Sequence, residues 1–363
     1  MMILPRLSSV SVTEAAPGIF MITERVPWRG IRPPVNCYII AGENGLMFDA
    51  GYGARSAVRS FVRAFRRVEE ICRGRHEPFC VRRIMLSHAH PDHFAGLRGL
   101  REELELQIIL TSRQAAIIAG RESYRRAYNA SSWERDLLGK ARFSGRSGRL
   151  ARSLISAAYE TLFGTRFVSD PDVIIPERCE IEVNGEPWQV FPSPGHSDDH
   201  ISLYHPSKGI LFAGDNILER IITWLGPPRS DMKDYLASLD EILALPKLEL
   251  ILGSHGPPVT RPHRRIGSII LWRKKRMNDV LQAIRRAGSA GVTAKDIVTA
   301  MYRGPARKML GEGWILLALK RLLEQGLVRR VEKSGKVIFL SDFSDEESVS
   351  ERNMNDIITG GSS

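Results

Sequence analysis

Cysteine is scarce in this chain. Cys37, Cys72, Cys80 and Cys179 are the only four in 363 residues, and no two of them form a C-x-x-C pair. So few, so widely spaced, they do not make a disulfide framework and predict free thiols in a reducing compartment. Long apolar runs are missing too. Hydrophobic residues make up 43% of the chain, but they are dispersed. No stretch approaches the roughly 18–20 consecutive apolar residues that a membrane span needs. The N-terminus, MMILPRLSSVSVTEAAPGIF, has no charged segment followed by an apolar core, so no signal peptide is expected. These absences predict a cytoplasmic protein with no membrane partner. There is no internal repeat and no G-x-S-x-G nucleophile motif.

Negative charge is short of positive: 52 Lys and Arg face 41 Asp and Glu, a net +11. The excess is local. Residues 1–263 carry 33 basic against 30 acidic residues, 264–340 carry 18 against 5, and 341–363 carry 1 against 6. A net +13 confined to one segment suits an anionic partner, a nucleic acid or an acidic protein surface. A solvated basic face is the plainer reading of the same residues.

The length predicts two domains. Up to about residue 262, strand-like and helix-like segments alternate. Val35–Ile40, Gly45–Asp49, Arg82–Ser87 and residues 107–112, 188–192, 201–205, 209–213 and 248–253 read as short strands. Residues 54–72 and 232–245 repeat their apolar positions at helical spacing. The order predicts stacked sheets with helices on the outer faces. Residues 121–170 break the pattern. They hold 10 basic against 5 acidic residues, with Tyr124, Tyr128, Trp133, Phe143 and Tyr159. A helical insertion is expected there, either a surface embellishment or a lid suited to an anionic substrate with an apolar part. After Pro262 a basic helix is expected over 264–287. A second, over 294–302, starts at the capping pair Thr293 and Asp296, and a third spans 313–325. Lys333-Ser334-Gly335 then turns a hairpin. Three helices and a hairpin predict a winged helix over 263–340. The tail, 341–363, is acidic and expected to be disordered.

Five of the nine histidines make sense together. In His88-Ala89-His90-Pro91-Asp92-His93, the extended spacing of His88 and His90 lets both reach one ion. Asp92 and His93 follow a proline, where the chain turns into a helix, and can face a second ion. Imidazole and carboxylate are the usual donors to zinc and similar divalent ions. His196, Asp215 and His255 each follow a strand-like run and sit beside a small residue, which permits close approach.

This series, H-x-H-x-D-H, then Gly195-His196, Gly214-Asp215 and Ser254-His255-Gly256, resembles the metallo-β-lactamase superfamily over residues 1–262. The resemblance implies an α/β fold, a four-layer αββα sandwich, here with a helical insertion and a C-terminal winged helix. It implies a binuclear site of divalent ions, zinc first, iron or manganese as alternatives. His88, His90 and His196 would hold one ion, Asp92, His93 and His255 the other, with Asp215 bridging. Asp49, in Phe48-Asp49-Ala50-Gly51, matches an early aspartate that supports ligands rather than binding metal. The stretches Pro194–His200 and Gly214–Leu218 look like the lactamase-beta-2-like branch, which includes an endoribonuclease and fungal polyketide-releasing thioesterases. The 121–170 insertion departs from that branch.

Two ions sharing a water would lower its pKa from 15.7 towards about 7, giving a hydroxide that attacks a carbonyl carbon or a phosphorus. Asp92 would orient it and Asp215 would hold the pair of ions. His200 is either a structural neighbour of Asp198 and Asp199 or a third catalytic residue in contact with substrate. Hydrolysis of a thioester or activated ester of acyl-CoA or acyl-carrier type is the expected activity. Cleavage of single-stranded RNA is the alternative, and a non-enzymatic binding protein is disfavoured by the complete ligand set. The expected partners are an anionic small-molecule or acyl-carrier substrate, RNA bound weakly without sequence preference, and a second copy in a homo-oligomer.

Overall fold

A computed structural model describes residues 9–25, 33–128, 134, 137 and 160–342. Two sheets face one another. The first has seven strands in chain order: β1 (Ser9–Ala16), β2 (Ile19–Arg25), β3 (Val35–Ile40), β4 (Gly45–Phe48), β5 (Val81–Met85), β6 (Gln107–Thr111) and β7 (Val173–Ile175). It is antiparallel up to β4 and parallel beyond it. The second runs β12-β11-β10-β9-β8, from β8 (Cys179–Val183), β9 (Glu186–Pro192), β10 (Ile201–His205), β11 (Ile210–Gly214) and β12 (Leu250–Gly253). Only its β11–β12 pair is parallel.

Period-two alternation assigns each residue to a layer. In β3, Tyr38 and Ile40 point between the sheets, where they meet Trp188, Leu203 and Phe212, while Cys37 and Ile39 point outward. The outward face is covered by α1 (Arg55–Gly74), whose Val58, Phe61, Phe65 and Val68 are buried. In β11, Phe212 points between the sheets and Leu211 and Ala213 point to the other outside, beneath Tyr235, Leu239 and Ile242. The result is the four-layer αββα sandwich. Between β5 and β7 lie α2 (Pro91–Phe94), α3 (Leu97–Leu104), α4 (Ser112–Ile118) and α5 (Arg121–Ala127); α6 (Met232–Leu243) follows β11.

The C-terminal segment forms α7 (Pro262–Arg286), α8 (Ala294–Met301), α9 (Pro305–Glu324) and the hairpin β13 (Val328–Lys333) and β14 (Lys336–Ser341). Thr293 and Asp296 form the capping box read from the sequence. Ser334 and Gly335 both have positive φ, 50° and 69°, as a tight hairpin turn requires.

Two expectations need correction. The third helix starts at Pro305, not at 313. Gly311 and Gly313 look like breakers, yet both lie within the helix because neighbours press against it. A Cβ on Gly311 would come within 2.4 Å of the Tyr302 ring, and one on Gly313 within 3.2 Å of Gly226 and Trp224. The C-terminal helices pack on one another and also on the sandwich. Ile266, Ile269, Trp314, Leu316 and Leu319 belong to the same apolar cluster as Leu211, Tyr235 and Leu239. Finally, two strands, β1 and β2, precede the first one expected. Most of the expected insertion, with Trp133, Phe143 and Tyr159, and the tail from 343 onward lie outside the described residues. No helix among the described residues is long and apolar enough to cross a membrane.

Candidate metal centre

The predicted donors converge at one edge of the sandwich, on the turns and the short helix that follow strand ends. His88 and His90 follow β5, and Pro91 then starts α2, which carries Asp92 and His93. His196 follows β9, Asp215 follows β11 and His255 follows β12. Gly214 makes the turn into Asp215 with φ +48°. A Cβ there would sit 2.4 Å from His200 Nε2 and 2.7 Å from Ser87 Cβ, so only glycine lets these strands approach.

The donors form two groups. Ligand atoms of His88, His90, His196 and Asp215 lie within 4.8 Å of one another, and those of Asp92, His93 and His255 do the same. Asp215 touches both groups. Its Oδ2 is 3.5 Å from His196 Nε2, and its Oδ1 is 3.3 Å from His255 Nε2 and 3.6 Å from His93 Nε2. His88 Nε2 and His196 Nε2 lie 2.8 and 2.9 Å from His90 Nδ1.

Hydrogen bonds behind the rings fix which nitrogen faces the centre. His196 Nδ1 lies 2.8 Å from Trp224 O, and His255 Nδ1 lies 2.6 Å from Pro34 O. Carbonyls only accept, so both Nδ1 atoms carry a proton and both Nε2 atoms are left to face the centre. His93 Nδ1 lies 2.9 Å from Asp49 Oδ2 and is fixed in the same way. Ser87 Oγ donates to Asp49 Oδ2 at 2.9 Å, so it accepts from His88 Nδ1 at 3.0 Å. Four imidazoles therefore aim Nε2 inward, an arrangement that oriented metal ligands share. Asp49 sits at φ +66° and also accepts from Ser87 N and Ser254 Oγ.

The donor set fits a cation. His93 Nε2 and Asp215 Oδ1 are buried and make no hydrogen bond, a costly arrangement unless something positive completes it. A single proton could satisfy one contact among His88, His90 and His196, whereas a divalent ion satisfies all three. Charges respond accordingly. Burial, aided by neighbouring imidazoles, pushes His88 and His90 well below the usual histidine range. Burial opposes protonation of His255 as well, but Asp215 and Asp92 outweigh it and raise the ring to about 9. Asp215 is held well below the usual carboxylate range: burial opposes this, and His255 and His93 overcome it.

His88 and His93 are fully buried, while His90 and Asp92 are half-buried and mark the opening. Tyr128, just after α5, lies against that opening. Its hydroxyl donates to Ala89 O at 3.2 Å and its ring is 6.0 Å from that of His90. Arg229 stacks on Tyr128 at 5.2 Å and binds Asp199, which in turn accepts from Ala89 N at 2.7 Å. His200 is placed differently from a substrate contact. It is 1% exposed, its Nε2 accepts from Asp215 N at 3.2 Å and its Nδ1 meets Ser193 Oγ at 2.9 Å. Both nitrogens are engaged behind Asp215, which makes it a positioning residue. Sequence reading missed Ser87, Arg229 and the carbonyls of Pro34 and Trp224. A lone arginine in a proline loop gives no signal, and a carbonyl gives none anywhere.

The family model of the metallo-beta-lactamase superfamily matches residues 30–255. The chain belongs to that superfamily. Among relatives, a beta-lactamase-like protein 2 homolog of Caenorhabditis elegans is 28% identical over 41% of this chain and 49% of its own length. A probable metallo-hydrolase of Bacillus subtilis is 26% identical over 51% of this chain and 67% of its own. An atrochrysone carboxyl ACP thioesterase of Aspergillus novofumigatus is 27% identical over 44% and 48%. The alignments thus span about half to two thirds of these relatives. A beta-lactamase domain protein from Burkholderia ambifaria superposes with TM-score 0.65 at 20% identity, covering 91% of this chain and 95% of that one. Within that family's fold, the chain brings together a His and Asp cluster that could hold divalent metal ions.

Proposed function

We propose that the chain hydrolyses a thioester or related activated ester of acyl-CoA or acyl-carrier type, using two zinc ions held by the seven donors. Such ions would supply Lewis acidity and an acidified water at neutral pH. The protein's own part is orientation. Asp49, Trp224 O and Pro34 O hold the histidine rings, and Asp215 places one oxygen in each half of the site. Asp92, at the opening, would accept a proton from the attacking water through a carboxylate oxygen.

One observation favours an ester with an apolar part. The loop from β11 to α6 carries Ile221 and Trp224, 54% and 45% exposed, and the carbonyl of the same Trp224 holds His196. Large apolar side chains left in water on the loop whose backbone supports a donor suit an acyl chain. The thioesterase relative points the same way. RNA cleavage is the second reading, carried by the basic excess of 264–340.

The test offers the metal-loaded protein a medium-chain acyl-CoA and a single-stranded RNA side by side. Thioester turnover is expected, lost on chelation and restored by zinc. RNA cleavage without thioester turnover would establish the second reading. Turnover that survives complete metal removal would overturn both.

A further inference from the structure

The two halves of the site are supported from different parts of the chain. His93 and His255 rest on Asp49 and Pro34 O, which belong to the first sheet and the loop entering it. His196 rests on Trp224 O at 2.8 Å, with Thr223 Oγ1 at 3.4 Å, and the loop bearing these two residues is gripped by the C-terminal helices. Arg265 of α7 donates through Nε to Leu218 O and through Nη2 to Ile221 O, each at 2.7 Å. Arg273, two turns further along α7, donates through Nη2 to Thr223 O.

Arg273 is an unusual residue to find there. It is 2% exposed, and no carboxylate pairs with it among the described residues. Burial of an arginine is costly without an anion. Here three aromatic faces, Tyr235, Trp272 and Trp314, surround it at 5.2 Å each, which recovers part of that cost. Tyr235 packs against the turn that carries His196: a Cβ on Gly195 would lie 2.2 Å from Tyr235 Cα. Arg273 therefore touches both supports of His196, the loop and α6. A third cation acts from α9. Lys320 pairs with Asp231, the N-cap of α6, whose N–H donates to Gly195 O at 2.9 Å.

We infer that Arg265, Arg273 and Lys320 are positioning residues by which the C-terminal helices set the affinity of one metal ion, the one at His88, His90 and His196. They leave the ion at Asp92, His93 and His255 largely untouched. The physical route is the Nδ1–H···O=C bond of His196. If the loop relaxes, Trp224 O moves, the ring rotates and its Nε2 lone pair loses its aim. Loss of a group that orients a ligand typically weakens metal binding by about 10–100-fold.

The inference rests on the metal assignment but not on the substrate, so its test reads metal binding rather than turnover. Full-length Arg273→Met is titrated with zinc against a chromophoric chelator, alone and combined with His255→Ala or with His196→Ala. Arg265→Met, whose side chain is only half-buried, is carried in parallel in case the first variant fails to fold. In the His255→Ala background either arginine variant should weaken the remaining ion at least about tenfold. In the His196→Ala background it should change the remaining ion less than about threefold, and Arg273→Lys should restore part of the loss. Histidine 15N spectra of zinc-loaded protein should show an altered Nδ1–H signal for His196 alone. Equal weakening of both ions, or no change in either with the fold intact, would overturn the inference. A wild-type chain that binds no zinc would instead refute the metal assignment itself.

Discussion

At the residue scale, the centre is defined as much by what sits behind each donor as by the donors. A histidine presents a usable lone pair only when its other nitrogen keeps the proton, and four rings here achieve this through a carbonyl, a carboxylate or a serine. Asp215 differs from the rest, since each of its oxygens belongs to a different half of the site. Asp215→Asn keeps the shape and removes the charge. Both ions should weaken, by more than the 10–100-fold typical of changes behind a ligand, while the metal-free fold persists. Zinc competition titrations with elemental analysis would check this, and a loss confined to one ion would contradict the bridging role.

At the element scale, α9 shows tertiary packing overriding local preference. Gly311 and Gly313 lower helix propensity, yet the helix runs through both because Tyr302, Trp224 and Gly226 occupy the space their side chains would need. An exposed helical Gly→Ala change normally gains up to about 1 kcal/mol. For Gly311→Ala the sign should reverse: the new Cβ meets the Tyr302 ring, and overpacking costs about 1–3 kcal/mol. Urea denaturation of the metal-loaded protein should show a lower midpoint. A higher midpoint would mean that Tyr302 moves aside freely. The capping box of α8 and the Ser334-Gly335 turn, by contrast, were legible because each is a local pattern of a few residues. The strands β1 and β2 were not read: β1 mixes Val10 and Val12 with Ser, Thr and Glu, and the apolar start of β2, Ile19–Ile22, becomes a strand by adding to the edge of β3.

At the scale of the whole molecule, the C-terminal segment is built into the sandwich. Trp314 to Leu319 of α9 are all buried, some against α6 and α7 through the shared cluster. In helix-turn-helix proteins the recognition helix must offer polar side chains to base edges, and this face is not free to do so. The protein should therefore show no sequence preference for duplex DNA. Its contact with RNA through exposed Lys and Arg should be weak and fall steeply with salt. Anisotropy titrations of one defined duplex, a random duplex and a single-stranded RNA at two ionic strengths would test this. Nanomolar binding to one duplex with a large preference over random DNA would contradict it.

The sequence by itself determined the kind of centre and the layered sandwich around it. The donors in H-x-H-x-D-H are local, and the remaining three follow strand-like runs beside small residues. The period-two and helical patterns likewise assign faces without knowledge of the fold. Tertiary structure alone decided the rest. Asp49 and His93 are 44 positions apart, Pro34 and His255 are 221 apart, and Arg273 reaches Thr223 across 50. Such pairings depend on how sheets and helices stack, and two of these three use a backbone carbonyl, identical in every residue. The tautomer of each histidine, the place of His200 behind Asp215 and the burial of α9 follow from that stacking, since hydrogen bonds and packing act through space and not along the chain.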